Sequence, residues 1–324
     1  MKILLVSNQC PNQYGVGNPI MMRMQKAFSS NKRVSKVEFV PFYNKISSLL
    51  HIRRQARDYD IIHVHFGGLY ALLVRLFLLG VRKRMFITFH GTDIHAKSVK
   101  TTKSIFRKLK IIFNQKASFI CICLYDKCGM VAKEMVSYVP GILLKRYKKK
   151  LFYQPLGVDY DIYTPVSKQK AQEIIGVSRG HYILFSDVSN TKIKRRDIAA
   201  AIAENIGEPY KLLIMCGVKP NDVPMYINAC DCVLLTSDEE GSPNIIRESF
   251  ALNKPVFSVN VGDAVSQLNG LNNSTIISRI PKEAAKTILE YLKRPYTDNT
   301  RSVLQKQIDF KRLCDSIIDI YEEI

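Results

Sequence analysis

Two glutamates, Glu240 and Glu248, stand at the two sides of a turn in the stretch "DEEGSPNIIRESF", 238–250. An apolar run, "CVLLTS", precedes the turn and another, "PVFSV", follows it. A buried strand ending here would leave Glu240 in the loop, Ser242 as a helix cap, Pro243 at the first helical position and Glu248 in the second helical turn. The N–H groups near Asn244 and Ile245 would then make an anion site, since the first amides of a helix have no partner within it. An acid, an anion cradle and a second acid in one crevice suit a ligand that carries hydroxyls, a diphosphate and further hydroxyls, as a nucleoside diphosphate sugar does. The same residues also suit a capped helix beside two surface acids, and spacing alone leaves both readings open. His90, in "ITFHGTDIH" (87–95), follows an apolar run and precedes Gly91. That places it at the end of a strand, where it could meet a ligand or serve as a structural imidazole.

The elements that would hold these residues alternate. "KILLVS" (2–7), "KVEFVPF" (36–42), "IIHVHF" (61–66), "MFITFH" (85–90), "ASFICIC" (117–123) and "LFYQPLG" (151–157) read as strands. Helical periodicity fills the gaps at 19–30, 68–80 and 97–116. The pattern restarts after "PLGVDYDIYTP" (155–165), a natural linker. Strands at 181–188, 210–217, 231–237 and 255–260 then alternate with helices at 195–206, at 221–229 and from 243, and a last helix spans about 301–324. Such a βαβ series implies α/β architecture, with two doubly wound parallel sheets covered by helices. Ligands bind such sheets outside the carboxyl ends of the strands.

Bulk composition narrows the class. The chain has 324 residues, enough for two domains with real cores. Its net charge is +20 and very unevenly placed. Residues 1–160 carry 28 Lys and Arg against 7 Asp and Glu, whereas residues 161–324 carry 20 against 21. The first half should therefore attract an anionic partner. The eight cysteines include no Cys-x-x-Cys pair; Cys121/Cys123 and Cys230/Cys232 have strand spacing, so the thiols read as small buried hydrophobes of a reducing compartment and not as a zinc site. "MKILLVSN" opens as a strand and not as a signal peptide, and "GLYALLVRLFLLGV" (68–81) is too short and too interrupted by Arg75 to span a bilayer. A cytoplasmic protein, peripheral at the inner face of the cell membrane, is expected.

The run "VPMYINACDCVLLTSDEEGSPNIIRESFALNKPVFSVNVGD" (223–263) closely resembles the signature of the retaining glycosyltransferases of family 4, the glycosyl transferases group 1, which have the GT-B fold. That resemblance implies two Rossmann-like domains facing each other across a cleft: an acceptor-side domain over 1–157, a nucleotide-sugar domain over 158–300, and a helix, 301–324, that could pack back on the first. It implies that Glu240 meets the donor sugar hydroxyls, that Glu248 meets the nucleotide ribose, and that the Gly241, Ser242, Pro243, Asn244 and Ile245 backbone meets the diphosphate. "ITFHGTDIH" is similar to the family's His-Gly-x-Asp turn, which implies His90 beside the sugar and acceptor hydroxyl, with Asp93 shaping that site. "PLGVDYDIYTP" is similar to its Gly-Val-Asp linker. "NQCPNQYGVGNPIMMRM" (8–24) resembles its first glycine loop, with Gly15 and Gly17 letting backbone approach the donor. That loop lacks the third glycine and the later acid of a dinucleotide fingerprint, so NAD is not expected. "SDVSNTKIKRRDIAAA" (186–201) occupies the place of the family's diphosphate-binding Arg and Lys. Lys194 matches the Lys, with Lys192 and Arg195 nearby, while Thr191 or Lys192 stands where the Arg belongs.

The implied reaction is metal-independent transfer of a sugar, with retention, from a nucleoside diphosphate sugar to a hydroxyl acceptor, on a glycan or a lipid-linked intermediate of a surface polysaccharide. No cofactor or metal is expected. "KSVKTTKSIFRKLKIIFNQK" (97–116) has seven Lys and Arg and no acid, and Val99, Ile105, Phe106, Leu109, Ile112 and Phe113 fall near one helical face. With 82–84 and 143–152 it reads as a surface for anionic lipid, unless its apolar face packs on the sheet. No recognised nucleic-acid module accompanies the charge, which argues against nucleic acid. Two other readings keep the fold: a non-catalytic membrane or nucleic-acid binding protein, and a sugar-nucleotide epimerase.

Overall fold

Apolar runs buried on both faces, joined by helices, close into two parallel sheets. The computed structural model describes the chain except residues 10–18, 97–98, 100–101, 188–191, 295–299 and 324, and the side chains of Pro19 and Val303. Two units result: Met1–Leu156 with Lys311–Ile324, and Gly157–Phe310.

The first unit runs β1 (Lys2–Ser7), α1 (Pro19–Ser29), β2 (Lys36–Pro41), α2 (Ile46–Ala56), β3 (Ile61–His65), α3 (Leu69–Phe77), β4 (Arg84–Phe89), α4 (Ile105–Leu124), β5 (Lys127–Met130), α5 (Gly141–Tyr147) and β6 (Leu151–Tyr153). Its six strands lie in the order β2-β1-β3-β4-β5-β6, all pairs parallel. Ile3, Leu4, Leu5 and Val6 of β1 are all fully buried, as a strand covered on both faces requires.

The second unit runs α6 (Lys168–Ile174), β7 (His181–Ser186), α7 (Arg196–Ile206), β8 (Tyr210–Met215), α8 (Val223–Asn228), β9 (Cys232–Leu235), α9 (Asn244–Ala251), β10 (Val256–Ser258), α10 (Ala264–Leu268), β11 (Thr275–Ile276), α11 (Pro281–Leu292) and α12 (Thr300–Ile308). Its sheet has the order β11-β10-β9-β7-β8, again parallel throughout. A final helix, α13 (Phe310–Glu322), returns to the first unit. There Tyr321 is buried, and Arg33 holds Asp319 at 2.6 Å and Glu322 at 3.1 Å.

Three expectations need correction. The run 117–123 is not a strand: it is the buried carboxyl half of α4, and the strand follows at β5. A short apolar run fits a buried helix as well as a strand, and the Ser104 cap, which accepts from the Arg107 N–H, starts a helix long enough to absorb it. The last helix is two helices, broken at Asp309, where Val158 pairs with the chain: the Val158 N–H donates to the Ile308 carbonyl at 2.8 Å and the Phe310 N–H to the Val158 carbonyl at 3.0 Å. The helix expected over 97–116 begins only at Ile105, which leaves Val99 outside it, and the amino half of α4 keeps its apolar residues off the sheet, as the lipid-surface reading and not its alternative has it. Phe106 is 81% exposed, Ile105 66%, Phe113 60% and Leu109 59%. No described helix is long and apolar enough to cross a membrane.

Candidate functional site

In the second unit the strand order reverses between β7 and β9, so the loops at their carboxyl ends flank a topological switch point, where doubly wound sheets bind ligands. The β9 loop carries Ser237 to Pro243; the β7 loop ends in Lys192 to Arg195. Backbone and hydroxyl contacts tie the two loops together. The Thr236 hydroxyl donates to the carbonyls of Lys194 and Arg195 at 2.9 and 3.0 Å, and the Asp238 N–H donates to the Ile193 carbonyl at 2.8 Å. The Lys194 ammonium thereby meets Glu240, with Nζ 2.6 Å from Oε1, and the Ser237 hydroxyl donates to the same oxygen at 2.8 Å. Both partners are largely shielded from solvent, so the pair is stronger than a surface ion pair would be.

Arg195 starts α7 with a left-handed φ of 55°. Its guanidinium is held by Asp197 at 2.7 Å and Asp238 at 3.3 Å. Arg279 converges on the same Asp238 at 3.0 Å and donates to the Ser237 carbonyl at 2.7 Å, bolting the exit of β9 from its other side. Lys192 is exposed at the entry to the turn. Gly15, Gly17 and Thr191 lie outside the described residues.

The helix start differs in detail from expectation. Pro243, not Ser242, occupies the cap position, and α9 begins at Asn244. Ser242 is withdrawn from capping because its hydroxyl is used below the loop: it donates to Asp263 at 2.6 Å and accepts from the Arg247 guanidinium. Arg247 and Asp263 are both buried, so three polar groups hold the loop from beneath. Gly262, with φ +56°, lets the β10 loop pass close under it; a Cβ there would stand 2.7 Å from the Gly241 carbonyl oxygen. Helix geometry still leaves the first amides of α9, at Asn244 and Ile245, without carbonyl partners inside the helix. Glu248 lies one turn on, and the Tyr163 hydroxyl donates to its Oε1 at 2.6 Å.

In the first unit, His90 and Asp93 sit at the carboxyl end of β4. Asp93 is a buried organiser of the turn. Its carboxylate accepts from the N–H groups of Gly67 (2.6 Å), Gly91 (2.8 Å) and His90 (3.0 Å), which binds the β3 loop to the β4 loop. Burial raises its pKa while those N–H groups oppose the rise. The His90 ring stacks on Phe66, with centroids 3.9 Å apart, and its Nε2 lies 3.2 Å from Nδ1 of His65. Burial pulls the His90 imidazole down to about 3. It is therefore a neutral group at ordinary pH, suited to hydrogen bonding and poorly suited to general-base work.

The structure brings Lys194 and Glu240 together, sets Gly241 to Ile245 at the neighbouring helix start, and places His90 and Asp93 together in the other unit. Sequence reasoning missed Ser237, Arg247, Asp263, Arg279, His65 and Tyr163. Asp263, Arg279, His65 and Tyr163 act through contacts distant in sequence, while Ser237 and Arg247 act within the loop and its helix but carry no recognisable signal of their own. Among the described residues, no three His, Cys, Asp or Glu side chains converge as a metal-binding group.

Comparison with known proteins follows the same lines. Residues 189–294 match the family described as Glycosyl transferases group 1. No curated protein matches the sequence. Among solved structures, Anabaena HepE in complex with UDP-glucose is similar over all of both chains, with a TM-score of 0.74 at 14% identity. Sucrose-phosphate synthase from Thermosynechococcus elongatus is similar over 100% of this chain and 99% of that one, with a TM-score of 0.74 at 12% identity. WaaG, a glycosyltransferase involved in lipopolysaccharide biosynthesis, is similar over 98% and 99%, with a TM-score of 0.65 at 14% identity. At these identities the likeness is one of fold. The chain has the two-domain α/β architecture of GT-B glycosyltransferases, and about a third of it, residues 189–294, is similar to the glycosyl transferases group 1 family.

Proposed function

We propose that the chain moves a sugar from a nucleoside diphosphate sugar to a hydroxyl acceptor, with retention and without a metal. The observation that carries this reading is the Lys194–Glu240 pair, 2.6 Å apart beside the first turn of α9, with Glu248 on the next turn. HepE, in complex with UDP-glucose, supports a nucleotide-sugar donor. In this reading Glu240 accepts from donor sugar hydroxyls and Glu248 from the ribose. Lys194 and the Asn244 and Ile245 amides stabilise charge as it develops on the departing diphosphate. The bond from the anomeric carbon to the diphosphate oxygen breaks, and the acceptor oxygen bonds to that carbon on the same face. The acceptor proton passes to an oxygen of the leaving phosphate, so no side chain need act as base. His90, neutral through burial, helps to place the acceptor hydroxyl.

Calorimetric titration with UDP and with GDP tests the donor site. One of the two should bind, and Glu248→Ala should weaken it by roughly tenfold or more, the loss expected for hydrogen bonds to a charged group. No binding of either nucleotide at low salt would remove the reading.

The acceptor is proposed to be lipid-linked, part of a growing surface glycan, and met at an anionic membrane on its cytoplasmic side. Ile105, Phe106, Leu109 and Phe113 project from α4 beside Arg107, Lys108 and Lys110, and Lys145, Arg146, Lys148 and Lys149 follow α4 in a second basic segment at 143–152. Apolar knobs among cations and without acids suit insertion between anionic headgroups. The protein should co-sediment with phosphatidylglycerol-rich vesicles at low salt. Phe106→Ser with Leu109→Ser and Phe113→Ser should reduce partitioning by roughly a hundredfold or more, given the apolar area withdrawn. Protein that stays in the supernatant at low salt would sink this part of the proposal.

A further inference from the structure

The side chain of Glu248 is held by a part of the chain distant from its own helix. Tyr163 is almost wholly buried, and its hydroxyl donates to Glu248 Oε1 at 2.6 Å. Tyr163 belongs to the segment by which the chain enters the second unit. Its N–H donates to the Asp159 carbonyl at 2.9 Å, and its carbonyl accepts from Arg301, near the start of α12. The same guanidinium donates to the carbonyl of Ala251, the last residue of α9, and to that of Tyr160 at 3.2 Å, and lies 4.7 Å from the Tyr160 ring centroid. The entry segment, the exit helix and the helix that carries Glu248 are thus pinned through one arginine, and the Tyr163 ring stands in a fixed place.

We infer that Tyr163 is a positioning residue for nucleotide recognition: its phenol sets the Glu248 carboxylate for two adjacent ribose hydroxyls. A ribose offers two neighbouring O–H donors, and a carboxylate on a flexible glutamate accepts both only in a narrow range of rotamers. A donor fixed at Oε1 selects that range before the ligand arrives, so less side-chain entropy is lost on binding. The bonds from Arg301 reach the backbone carbonyls of Tyr160, Tyr163 and Ala251, so Tyr163→Phe removes the phenol without releasing the segment.

The inference rests on the reading that Glu248 meets the ribose, and the test separates the two. Calorimetry is run with whichever of UDP and GDP binds, and with inorganic diphosphate, on the intact protein, Tyr163→Phe, Glu248→Ala and the double variant. Tyr163→Phe should weaken the nucleotide about three- to tenfold, the cost of ordering the released Glu248 side chain on binding. It should leave inorganic diphosphate unchanged and add no loss on the Glu248→Ala background. If Glu248→Ala weakens the nucleotide and Tyr163→Phe does not, the positioning role is wrong and the donor site stands. Equal losses for nucleotide and diphosphate would mean that Tyr163 serves only the fold. If neither nucleotide binds, or Glu248→Ala binds as the intact protein does, the reading of Glu248 falls and the inference with it.

Discussion

Replacing Lys194 by methionine should lower kcat for sugar transfer by roughly a hundred- to a thousandfold, the usual cost of removing one preorganised stabiliser of transition-state charge. The ammonium is 2.6 Å from Glu240 and sits where the β7 loop meets the β9 loop. Diphosphate gains negative charge as its bond to the sugar breaks, so a cation beside it acts more on the transition state than on the bound donor. Methionine keeps the length and apolar stem of the side chain and removes the charge. Nucleotide binding should change far less than kcat, because Glu248 and the amides of α9 remain. Glu240→Ala should lower transfer as well, and for a different reason: the sugar hydroxyls lose their acceptor while Lys194 remains beside the diphosphate. Because the two side chains share one ion pair, the double variant should be little worse than the poorer single one. Initial rates across donor concentrations decide the matter. A Lys194→Met enzyme within tenfold of the intact one would overturn the role given to that lysine.

The loop that carries this chemistry was legible because several local signals agree there. A short apolar run, an acid, Gly-Ser-Pro and a second acid admit few arrangements other than strand, turn and helix start. Its support was not legible. Arg247 and Asp263 carry no signal in the sequence that sets them apart, and only the fold places both beneath Ser242. For the same reason Ser242 looked like a cap: the side chain suits one, and what takes it away lies beyond the next strand. Arg279 reaches the β9 exit from past β11, so no spacing rule near Glu240 could find it. Residues 117–123 were misread because a short apolar run suits a strand, while the helix begun at Ser104 was long enough to claim them. The charge of the first half was plain in composition, but charge and helical periodicity could not say whether the apolar side of α4 faced the sheet. The exposure of Phe106 and Leu109 answers that, and it follows from packing alone.

Acidification should destabilise the first unit steeply, and the cause lies in β3. Residues two apart on a strand share a face, so the His63 and His65 rings of "IIHVH" lie side by side, tilted by 33° with centroids 4.2 Å apart, both fully buried. Hydrogen bonds fix the tautomer of His63. The Thr88 hydroxyl gives its proton to Gln154 Oε1 at 2.7 Å, so the Thr88 oxygen accepts from His63 Nε2–H, also at 2.7 Å. Nδ1 then accepts from the Tyr321 hydroxyl of α13 at 2.5 Å. Every partner is satisfied by a neutral imidazole, and a second ring proton would have to displace the Tyr321 hydroxyl proton. Burial pulls His63 down to about 3, does the same for His90, and holds His65 well below its ordinary value. The sign follows from proton counts. Below the ordinary histidine pKa of about 6.5 the unfolded chain binds protons that the folded unit refuses, so stability present near neutrality is lost as pH falls from there towards about 3. Each histidine held neutral costs up to about 1.4 kcal/mol per pH unit once the unfolded imidazole is protonated, so the cluster together takes away a large part of the stability of an ordinary domain. Urea unfolding at a series of pH values should show the midpoint dropping sharply between about pH 6.5 and 5.5. His63→Gln, which keeps a donor and an acceptor and cannot titrate, should reduce that slope by about a third while lowering stability at neutral pH through imperfect fit. A midpoint that is flat across this range, or a slope that His63→Gln leaves unchanged, would show that these imidazoles are not held neutral in the folded protein.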